Sequence, residues 1–328
     1  MTRATPAAPL LAAALAATFG AGPAQAQSWD MPTPYGDATF HTQNVRQFAE
    51  EVAEGTDGAL EITVHSAGSL YPHESIKNAV RSRQVPIGEF LLSRLSNEDP
   101  AFGLDSQPFL ATSYEEARRL WEAQEPVVAE LLAEQGLVPL FSVAWPAQGL
   151  YTNGPVEDVD DLAGLRFRAY NAQLEEFAGL AGASPVQVEE PDLPQAFATG
   201  QVEAMMTSPS TGANNAAWDY VSHYTPVNAW LPKNVVVASQ AALDALDPEV
   251  RAALDEAAEA AEARGWEMSR AEAEAKVAEL EANGMTVVEP SEALTEGLRA
   301  IGAEMLATLE ADTSEPARRV LDGYRAGE

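Results

Sequence analysis

Residues 164–171 of this 328-residue chain read Gly-Leu-Arg-Phe-Arg-Ala-Tyr-Asn, and this stretch carries the clearest structural signal in the sequence. Its side chains alternate between an apolar set and a polar set: Leu165, Phe167 and Ala169 against Arg166, Arg168 and Tyr170. An alternation with a period of two residues predicts a β-strand. A helical pattern begins near Gln173, so the strand is predicted to run directly into a helix, as strands of α/β sheets do.

Arg168 lies near the carboxyl end of this predicted strand. Ligands of open α/β sheets bind in the crevice at the carboxyl ends of the strands. A guanidinium there presents a planar fork of N–H donors that matches a carboxylate. Arg168 is therefore the first candidate for a ligand-binding residue. The alternative is an arginine that forms a salt bridge on the surface.

Residues 1–26 have the features of a secretory signal peptide. Arg3 is their only charged residue, residues 10–19 form a short apolar run, and Ala24-Gln25-Ala26 fits the small-residue cleavage pattern. The apolar run is too short to cross a bilayer, which takes about 20 apolar residues, and no later stretch approaches that length. We therefore expect cleavage after Ala26, export to the periplasm and no direct insertion into the membrane.

The amino-acid composition excludes several kinds of chemistry and disfavours several kinds of binding partner. The chain has no cysteine, which excludes disulfides, thiolate catalysis and cysteine-ligated zinc. At 46% hydrophobic residues it can build a core, and the 302 residues left after cleavage suggest two lobes. The formal net charge of −31, or −32 without Arg3, disfavours nucleic acid and anionic lipid as partners.

Predicted strands and helices alternate along the chain, which indicates an α/β fold with crossover helices. We predict a first lobe formed by residues 27–150 plus about 233–265. The second lobe is then formed by residues 151–232 plus about 266–328. A strand at 234–238 is expected to return the chain to the first lobe.

One long helix is predicted near the carboxyl end of the sequence. It starts at the helix-initiating pair Asp247-Pro248 and stops at Asn283-Gly284. About 35 residues at 1.5 Å each give ~52 Å, which exceeds the width of one small domain. We expect this helix to lie across both lobes, and Gly265, which interrupts the helical pattern, is the candidate position for a kink. The alternative, a coiled coil, lacks a sustained apolar heptad.

Residues 79–87 and residues 196–204 share a short sequence pattern. In each, a helix end and a turn lead into a Gln-Val pair that enters a strand. If this shared pattern reflects two similar lobes, it places Glu89 and Phe90 opposite Thr207 and Ser208, at strand ends on two walls of a cleft.

Motifs for catalysis are missing from the sequence. It contains no glycine-rich phosphate loop, no Gly-x-Ser-x-Gly and no His-Glu-x-x-His. Acidic pairs are common, so Glu189-Glu190 cannot be singled out as a catalytic couple without geometry. We therefore predict a receptor and not an enzyme, with no cofactor and no metal site.

Several patches in chain order resemble the substrate-binding proteins of tripartite ATP-independent periplasmic (TRAP) transporters, of the dicarboxylate-receptor (DctP) type. The patches are His41-x6-Phe48-Ala49-Glu50-Glu51-Val52, Gly58-x-Leu60-x-Ile62, Ala163-Gly164-Leu165-Arg166-Phe167-Arg168, Ala196-Phe197-x-Thr199-Gly200-Gln201-Val202-Glu203-Ala204, Leu231-Pro232-x-Asn234 and Leu246-x-Pro248-Glu249-Val250. The resemblance implies a two-lobed periplasmic binding protein fold, type II-like, with a long helix spanning both lobes. It implies delivery of a small organic acid to small and large membrane subunits. It also implies that Arg168 pairs with the ligand carboxylate.

Two departures from the family pattern bear on the ligand. Many dicarboxylate receptors have a second arginine after a Gly-aromatic pair, but here Gly149-Leu150 is followed by Tyr151. Where many members read Asp-Gly-Gln-Glu-Asn, residues 204–210 read Ala-Met-Met-Thr-Ser-Pro-Ser. A second carboxylate clamp is therefore not expected, and a hydroxyl-rich wall is.

The leading hypothesis is a receptor for a small monocarboxylate held by Arg168 in a bidentate pair. The other expected binding residues are hydrogen-bonding Asn171, Thr207 and Ser208, and walls of Trp145, Tyr151, Tyr35 and Trp218. Glu89 is expected either to orient Arg168 or to accept a donor from the ligand. A second hypothesis is a compatible solute, amine or aromatic compound in an aromatic cage, which suits the acidic surface. A third is an exported enzyme that uses Glu89 or His223.

Overall fold

The computed structural model describes residues 1–2 and 26–327. The predicted signal peptide, apart from its two ends, lies outside the described residues. The strands are β1 (Gln27–Pro32), β2 (Leu60–His65), β3 (Ile87–Leu91), β4 (Leu137–Ala144), β5 (Gly149–Thr152), β6 (Arg166–Ala169), β7 (Ser184–Gln187), β8 (Ala204–Thr207), β9 (His223–Thr225), β10 (Lys233–Ser239) and β11 (Thr286–Val287). The helices are α1 (Phe40–Gly55), α2 (His73–Arg81), α3 (Tyr114–Ala133), α4 (Ala172–Leu180), α5 (Leu193–Ala198), α6 (Pro209–Asn214), α7 (Gln240–Asp244), α8 (Pro248–Ala282), α9 (Glu292–Ala311) and α10 (Glu315–Ala326). The predicted alternation of strands and helices is confirmed.

The strands of the described residues form three sheets. β1 and β2 are a parallel pair, β3-β10-β4 is a three-stranded antiparallel sheet, and β11-β9-β5-β8-β6-β7 is a six-stranded mixed sheet. The strand predicted at 234–238 is β10, and it pairs with β3 and β4, so the chain does return to the earlier sheet. The division of the chain into two lobes at the predicted boundaries stays a prediction.

Residues 164–171 contain β6 and end at Asn171, the N-cap of α4. β6 runs parallel to both β7 and β8, with Arg168 in register with Val186 and Met205. Parallel neighbours bring the carboxyl ends of all three strands to one edge of the sheet. The apolar side of the strand is anchored by Phe167, which is buried in the largest core cluster. This anchoring fixes where Arg168 points.

The long helix α8 has 35 residues, as predicted. It packs against α1 and β4 and, farther along its length, against α6 and β11, so it bridges the two larger sheets. Gly265 lies where α8 contacts α1 and β4. A Cβ there would lie 2.4 Å from Val143 Cγ2 and 2.7 Å from Asn44 Nδ2. The glycine therefore permits the close approach of α8 to β4 and α1, and α8 continues through it without interruption.

Candidate functional site

A small cavity lies where the ends of β3, β4 and β10 face the carboxyl ends of β6 and β8. It offers about 40 Å³ to the centre of a water-sized molecule, the room of a few waters at ~10–15 Å³ each. Its lining residues are Tyr35, His73, Leu91, Arg94, Trp145, Gln148, Arg168, Tyr170, Glu189, Glu190, Thr207, Ser208, Thr211 and Pro232. Five of the nine predicted site residues are among them: Arg168, Trp145, Tyr35, Thr207 and Ser208.

Arg168 is a cation of this cavity that no carboxylate of the described residues pairs with. Its side chain is buried, its Nε donates to the Val188 carbonyl at 2.9 Å, and its guanidinium lies 4.7 Å from the centre of the Tyr170 ring. Among residues 26–327, no carboxylate oxygen lies within 4.0 Å of it, so the surface salt bridge considered as an alternative does not form. Burial lowers the pKa of Arg168, but arginine stays charged at neutral pH. A buried guanidinium without a counterion favours an anionic ligand.

Tyr170, beneath the guanidinium, is held rigidly. Its hydroxyl accepts from Trp230 Nε1 at 3.1 Å and donates to Gln148 Oε1 at 3.0 Å. The sequence indicated only that Tyr170 shares a strand face with Arg168. The structure adds that Tyr170 lines the cavity and that its ring packs against the guanidinium of Arg168.

The aromatic wall opposite is positioned by one amide. Asn234 Oδ1 accepts from Trp145 Nε1 at 2.9 Å and from the Tyr35 hydroxyl at 3.1 Å, and the two rings meet edge to face at 5.0 Å. Asn234 Nδ2 donates to Glu89 Oε1 at 3.0 Å. Asn234 therefore holds two predicted wall residues in place from behind the cavity.

Glu89 lies behind this wall and does not line the cavity. Its carboxylate accepts from Thr33 Oγ1 at 2.5 Å and from Asn234 Nδ2, and His41 Nδ1 is 3.6 Å away. It makes no contact with Arg168, because its side chain points toward Thr33 and Asn234. Neither predicted role of Glu89, orienting Arg168 or accepting from the ligand, matches this placement. Burial raises its pKa to about 7, and the two hydrogen bonds offset only part of that effect.

We predict a pH signature for Glu89. Its pKa rises from 4.5 to about 7 on folding, so the folded protein holds a proton between these values that the unfolded chain has released. The stability contribution of Glu89 is therefore fully present below pH 4.5 and is lost as the pH rises through 7. Burial also lowers the pKa of neighbouring His41 well below its usual value.

Glu89→Gln removes that titration. As the pH rises from 5 to 8, the free energy of unfolding of the wild type should fall by up to about 3 kcal/mol more than that of the variant. Urea unfolding of both proteins at the two pH values measures this difference. An identical pH dependence in the two proteins would contradict the prediction.

Thr207 and Ser208 form the predicted hydroxyl wall where β8 passes into α6. Ser208 caps the helix, since its Oγ accepts from the Thr211 backbone N–H at 3.0 Å. Both residues are buried at the cavity wall. The unusual Thr-Ser-Pro-Ser segment is therefore a helix start that turns hydroxyls toward the cavity.

Three other predicted site residues lie off the cavity wall. Tyr151 is fully buried under α6, where its hydroxyl donates to the Ser208 carbonyl at 3.0 Å, so it supports the wall from behind. Trp218 is partly buried and packs against the core cluster that contains Tyr151. Asn171 caps α4 by accepting from the Leu174 N–H at 2.9 Å, and its Nδ2 donates to Ser93 Oγ at 2.9 Å. In all three, packing or capping determines where the side chain points.

The sequence did not reveal one further feature of the site. Three charged or titratable side chains form an ion-pair cluster that crosses the cavity. Glu189 Oε1 accepts from Arg94 Nη1 at 2.8 Å, and its Oε2 lies 3.3 Å from His73 Nδ1. The Leu91 N–H donates to His73 Nε2 at 3.1 Å, which places the histidine proton on Nδ1, toward Glu189. Burial by itself raises the pKa of Glu189, but His73 and Arg94 outweigh it and lower the pKa to about 2.

Two further properties of the described residues bear on function. None of their helices combines the length and the apolar character of a membrane span. Within the same part of the chain, no cluster of three or more histidine, aspartate or glutamate side chains is placed to hold a metal ion.

Comparison with known proteins gives the family. Residues 34–312 match the family described as bacterial extracellular solute-binding protein, family 7 (DctP). A solute-binding protein of Albidiferax ferrireducens is 30% identical over 176 residues, a match that spans about half the length of each chain (52% of this one and 51% of the relative).

Solved structures are similar over nearly the whole chain. The Bordetella pertussis extracytoplasmic solute receptor DctP7, described as binding pyroglutamic acid, is 44% identical with a TM-score of 0.90, covering 92% of this chain and 100% of its own. A marine metagenome TRAP solute-binding protein, described as specific for pyroglutamate, is 41% identical with a TM-score of 0.89, covering 92% and 99%. A Chromohalobacter salexigens protein with bound D-glucuronate shares the fold at 21% identity and a TM-score of 0.84, covering 91% and 99%.

The two-lobed α/β fold is therefore confirmed, and the chain belongs to the DctP family of TRAP transporter solute-binding proteins.

Proposed function

We propose that the protein is an extracytoplasmic receptor for a small monocarboxylate, with pyroglutamate as the leading candidate. The observation that carries this proposal is the unpaired guanidinium of Arg168 in a small cavity with aromatic walls. The second cavity arginine, Arg94, is already paired with Glu189. One free cation suits one carboxylate, which favours a monocarboxylate over a dicarboxylate.

The walls suit a compact, weakly polar body. Trp145, Tyr35, Leu91 and Pro232 supply apolar surface, while Thr207 and Ser208 supply a few hydroxyls. A cavity that offers about 40 Å³ to the centre of a water-sized molecule suits a compact ring better than a sugar acid with its many hydroxyls. The receptors of Bordetella pertussis and of the marine metagenome are described as binding pyroglutamate, and they are the more similar in sequence of the structures compared.

The cellular setting is part of the same proposal. Residues 1–26 would direct export to the periplasm and be removed there. The loaded receptor would then deliver its ligand to the small and large TRAP membrane subunits. The predicted lobes, 27–150 plus about 233–265 and 151–232 plus about 266–328, would close on the ligand about the chain crossings between them.

Titration calorimetry tests the ligand. The protein is refolded from denaturant to remove any co-purified ligand, then titrated with L-pyroglutamate, succinate, D-glucuronate and galactonate. Pyroglutamate should bind at least ~100-fold more tightly than the other three. Tight binding of a carboxylate-free osmolyte or amine, with none of pyroglutamate, would contradict the proposal and favour the aromatic-cage alternative.

The ion-pair cluster supports closure of the lobes over the ligand. Arg94 and His73 follow and precede β3, whereas Glu189 follows β7 of the other large sheet, so their contacts cross the cavity. The Asn171–Ser93 hydrogen bond crosses in the same direction. These bonds form only when the two walls are close, so they stabilise the closed state.

Arg94→Gln and Glu189→Gln should each weaken pyroglutamate binding roughly 10–100-fold, since each removes a charge-assisted bond of about 1.5–3 kcal/mol from the closed state. The double variant should be no weaker than the worse single one, because both changes break the same bond. Calorimetry on the four proteins measures this cycle. Strictly additive losses would instead indicate that Arg94 binds the ligand directly.

A further inference from the structure

Glu190 lines the cavity, and among residues 26–327 one of its two carboxylate oxygens has no hydrogen-bond donor. Asn215 Nδ2 donates to its Oε1, and the same amide also donates to the Thr211 carbonyl at 3.0 Å. The carboxylate is thereby tied to α6. In the part of the chain that the structure describes, no donor reaches Glu190 Oε2.

The neighbouring Glu189 differs in this respect. Arg94 and His73 occupy its two oxygens, one each. Glu190 lines the same cavity as Arg168, yet the two lie more than 4.0 Å apart and form no ion pair. The cavity therefore contains a donor fork and an acceptor that do not satisfy each other.

Arg168 is buried and Glu190 is half-buried, and a polar group withdrawn from water is costly unless it has a hydrogen-bond partner. A ligand that satisfies both groups carries a carboxylate for Arg168 and an N–H for Glu190 on one compact body. Thr207 offers a hydroxyl donor to a third, carbonyl group, whereas the Ser208 hydroxyl already donates to Thr211 Oγ1 at 3.1 Å. Burial raises the pKa of Glu190, and the hydrogen bond from Asn215 and the charge of Arg168 act against this.

We propose that Glu190 is the specificity-determining residue of the receptor and accepts the N–H of an amido acid such as a lactam carboxylate. The inference rests on the proposed function and narrows it. The receptor then distinguishes a lactam from a ring of the same shape that lacks the N–H. A site built to bond an N–H leaves its own acceptor unpaired when the analogue binds, which gives strong discrimination.

The matched ligands are L-pyroglutamate and its lactone isostere, 5-oxotetrahydrofuran-2-carboxylate, in which a ring oxygen replaces the N–H. Calorimetry on the wild type should give at least ~100-fold tighter binding of the lactam. Equal binding of the two ligands would overturn the role of Glu190 and leave the receptor function intact. Binding of neither would count against the proposed function itself.

Glu190→Gln is the matched variant. Asn215 donates to whichever oxygen the side chain offers, so the glutamine carbonyl stays with Asn215 and its NH₂ turns to the cavity. That NH₂ opposes the lactam N–H and suits the lactone oxygen, so the lactam preference should fall at least ~10-fold. Glu189→Gln is the control, because it weakens both ligands together and leaves the ratio unchanged. An unchanged ratio in Glu190→Gln, in a variant that melts cooperatively, would overturn the proposal.

Discussion

Arg168→Ala is expected to abolish measurable binding of pyroglutamate while the protein stays folded. A bidentate pair supplies two charge-assisted hydrogen bonds of about 1.5–3 kcal/mol each, so their loss weakens binding by at least ~100-fold. The ligand-free variant should melt no lower than the wild type, because it no longer buries an unpaired cation. Calorimetry and thermal melts with and without ligand measure both effects.

Arg166 provides the matched control on the same strand. It lies two residues earlier, is exposed, and pairs with Glu203 at 2.9 Å. Arg166→Ala should leave the affinity unchanged. Arg168→Lys keeps the charge but loses the fork and the bond to the Val188 carbonyl, so its affinity should fall between those of the wild type and the alanine variant. Wild-type affinity in Arg168→Ala would refute the role assigned to this residue.

The largest loss of stability is expected at Asp105. Its side chain and that of Lys233 are both fully buried, with Nζ and Oδ2 3.9 Å apart, and Oδ2 accepts from the Lys233 backbone N–H at 2.8 Å. Asp105→Asn keeps an acceptor for that N–H but leaves the lysine charge without a partner. The free energy of unfolding should fall by about 3 kcal/mol, since breaking a buried pair costs ~3–5 kcal/mol. The melting temperature should drop by roughly 5–10 °C.

The pH dependence and a double variant separate charge from packing. Burial lowers the pKa of Lys233 to about 8, an effect that Asp105 only partly offsets, so the lysine is largely neutral in the folded wild type at pH 9. The destabilisation by Asp105→Asn should therefore be smaller at pH 9 than at pH 7. Adding Lys233→Met removes the unpaired charge and should restore most of the lost stability. A double variant as unstable as Asp105→Asn alone would show that charge is not the cause.

Helix and strand signals of this protein are local, which is why the sequence predicted them. The alternation in residues 164–171 and the pair Asp247-Pro248 each act over a few residues, and β6 and α8 lie where they predict. The prediction of Arg168 as a cavity residue combined the alternation with a general property of α/β sheets and with the family resemblance. Such signals need no knowledge of distant contacts.

The partners of individual side chains depend on distant contacts. Glu189 meets Arg94 and His73, which lie 95 and 116 residues away along the chain. Nothing local distinguishes this glutamate from Glu190 beside it, yet one is paired across the cavity and the other is left open to it. Likewise, Glu89 shares its strand with the cavity residue Leu91 but is bonded to Thr33 and Asn234 behind the wall.

The sequence by itself determined the α/β architecture, the long helix and the arginine at the end of β6, because residue periodicity and helix capping are encoded over short distances. Only the tertiary structure decided which acidic groups are paired and which face the cavity. The physical reason is that a charge is paired or left free by the side chains that packing brings within about 4 Å of it, and those come from remote parts of the chain.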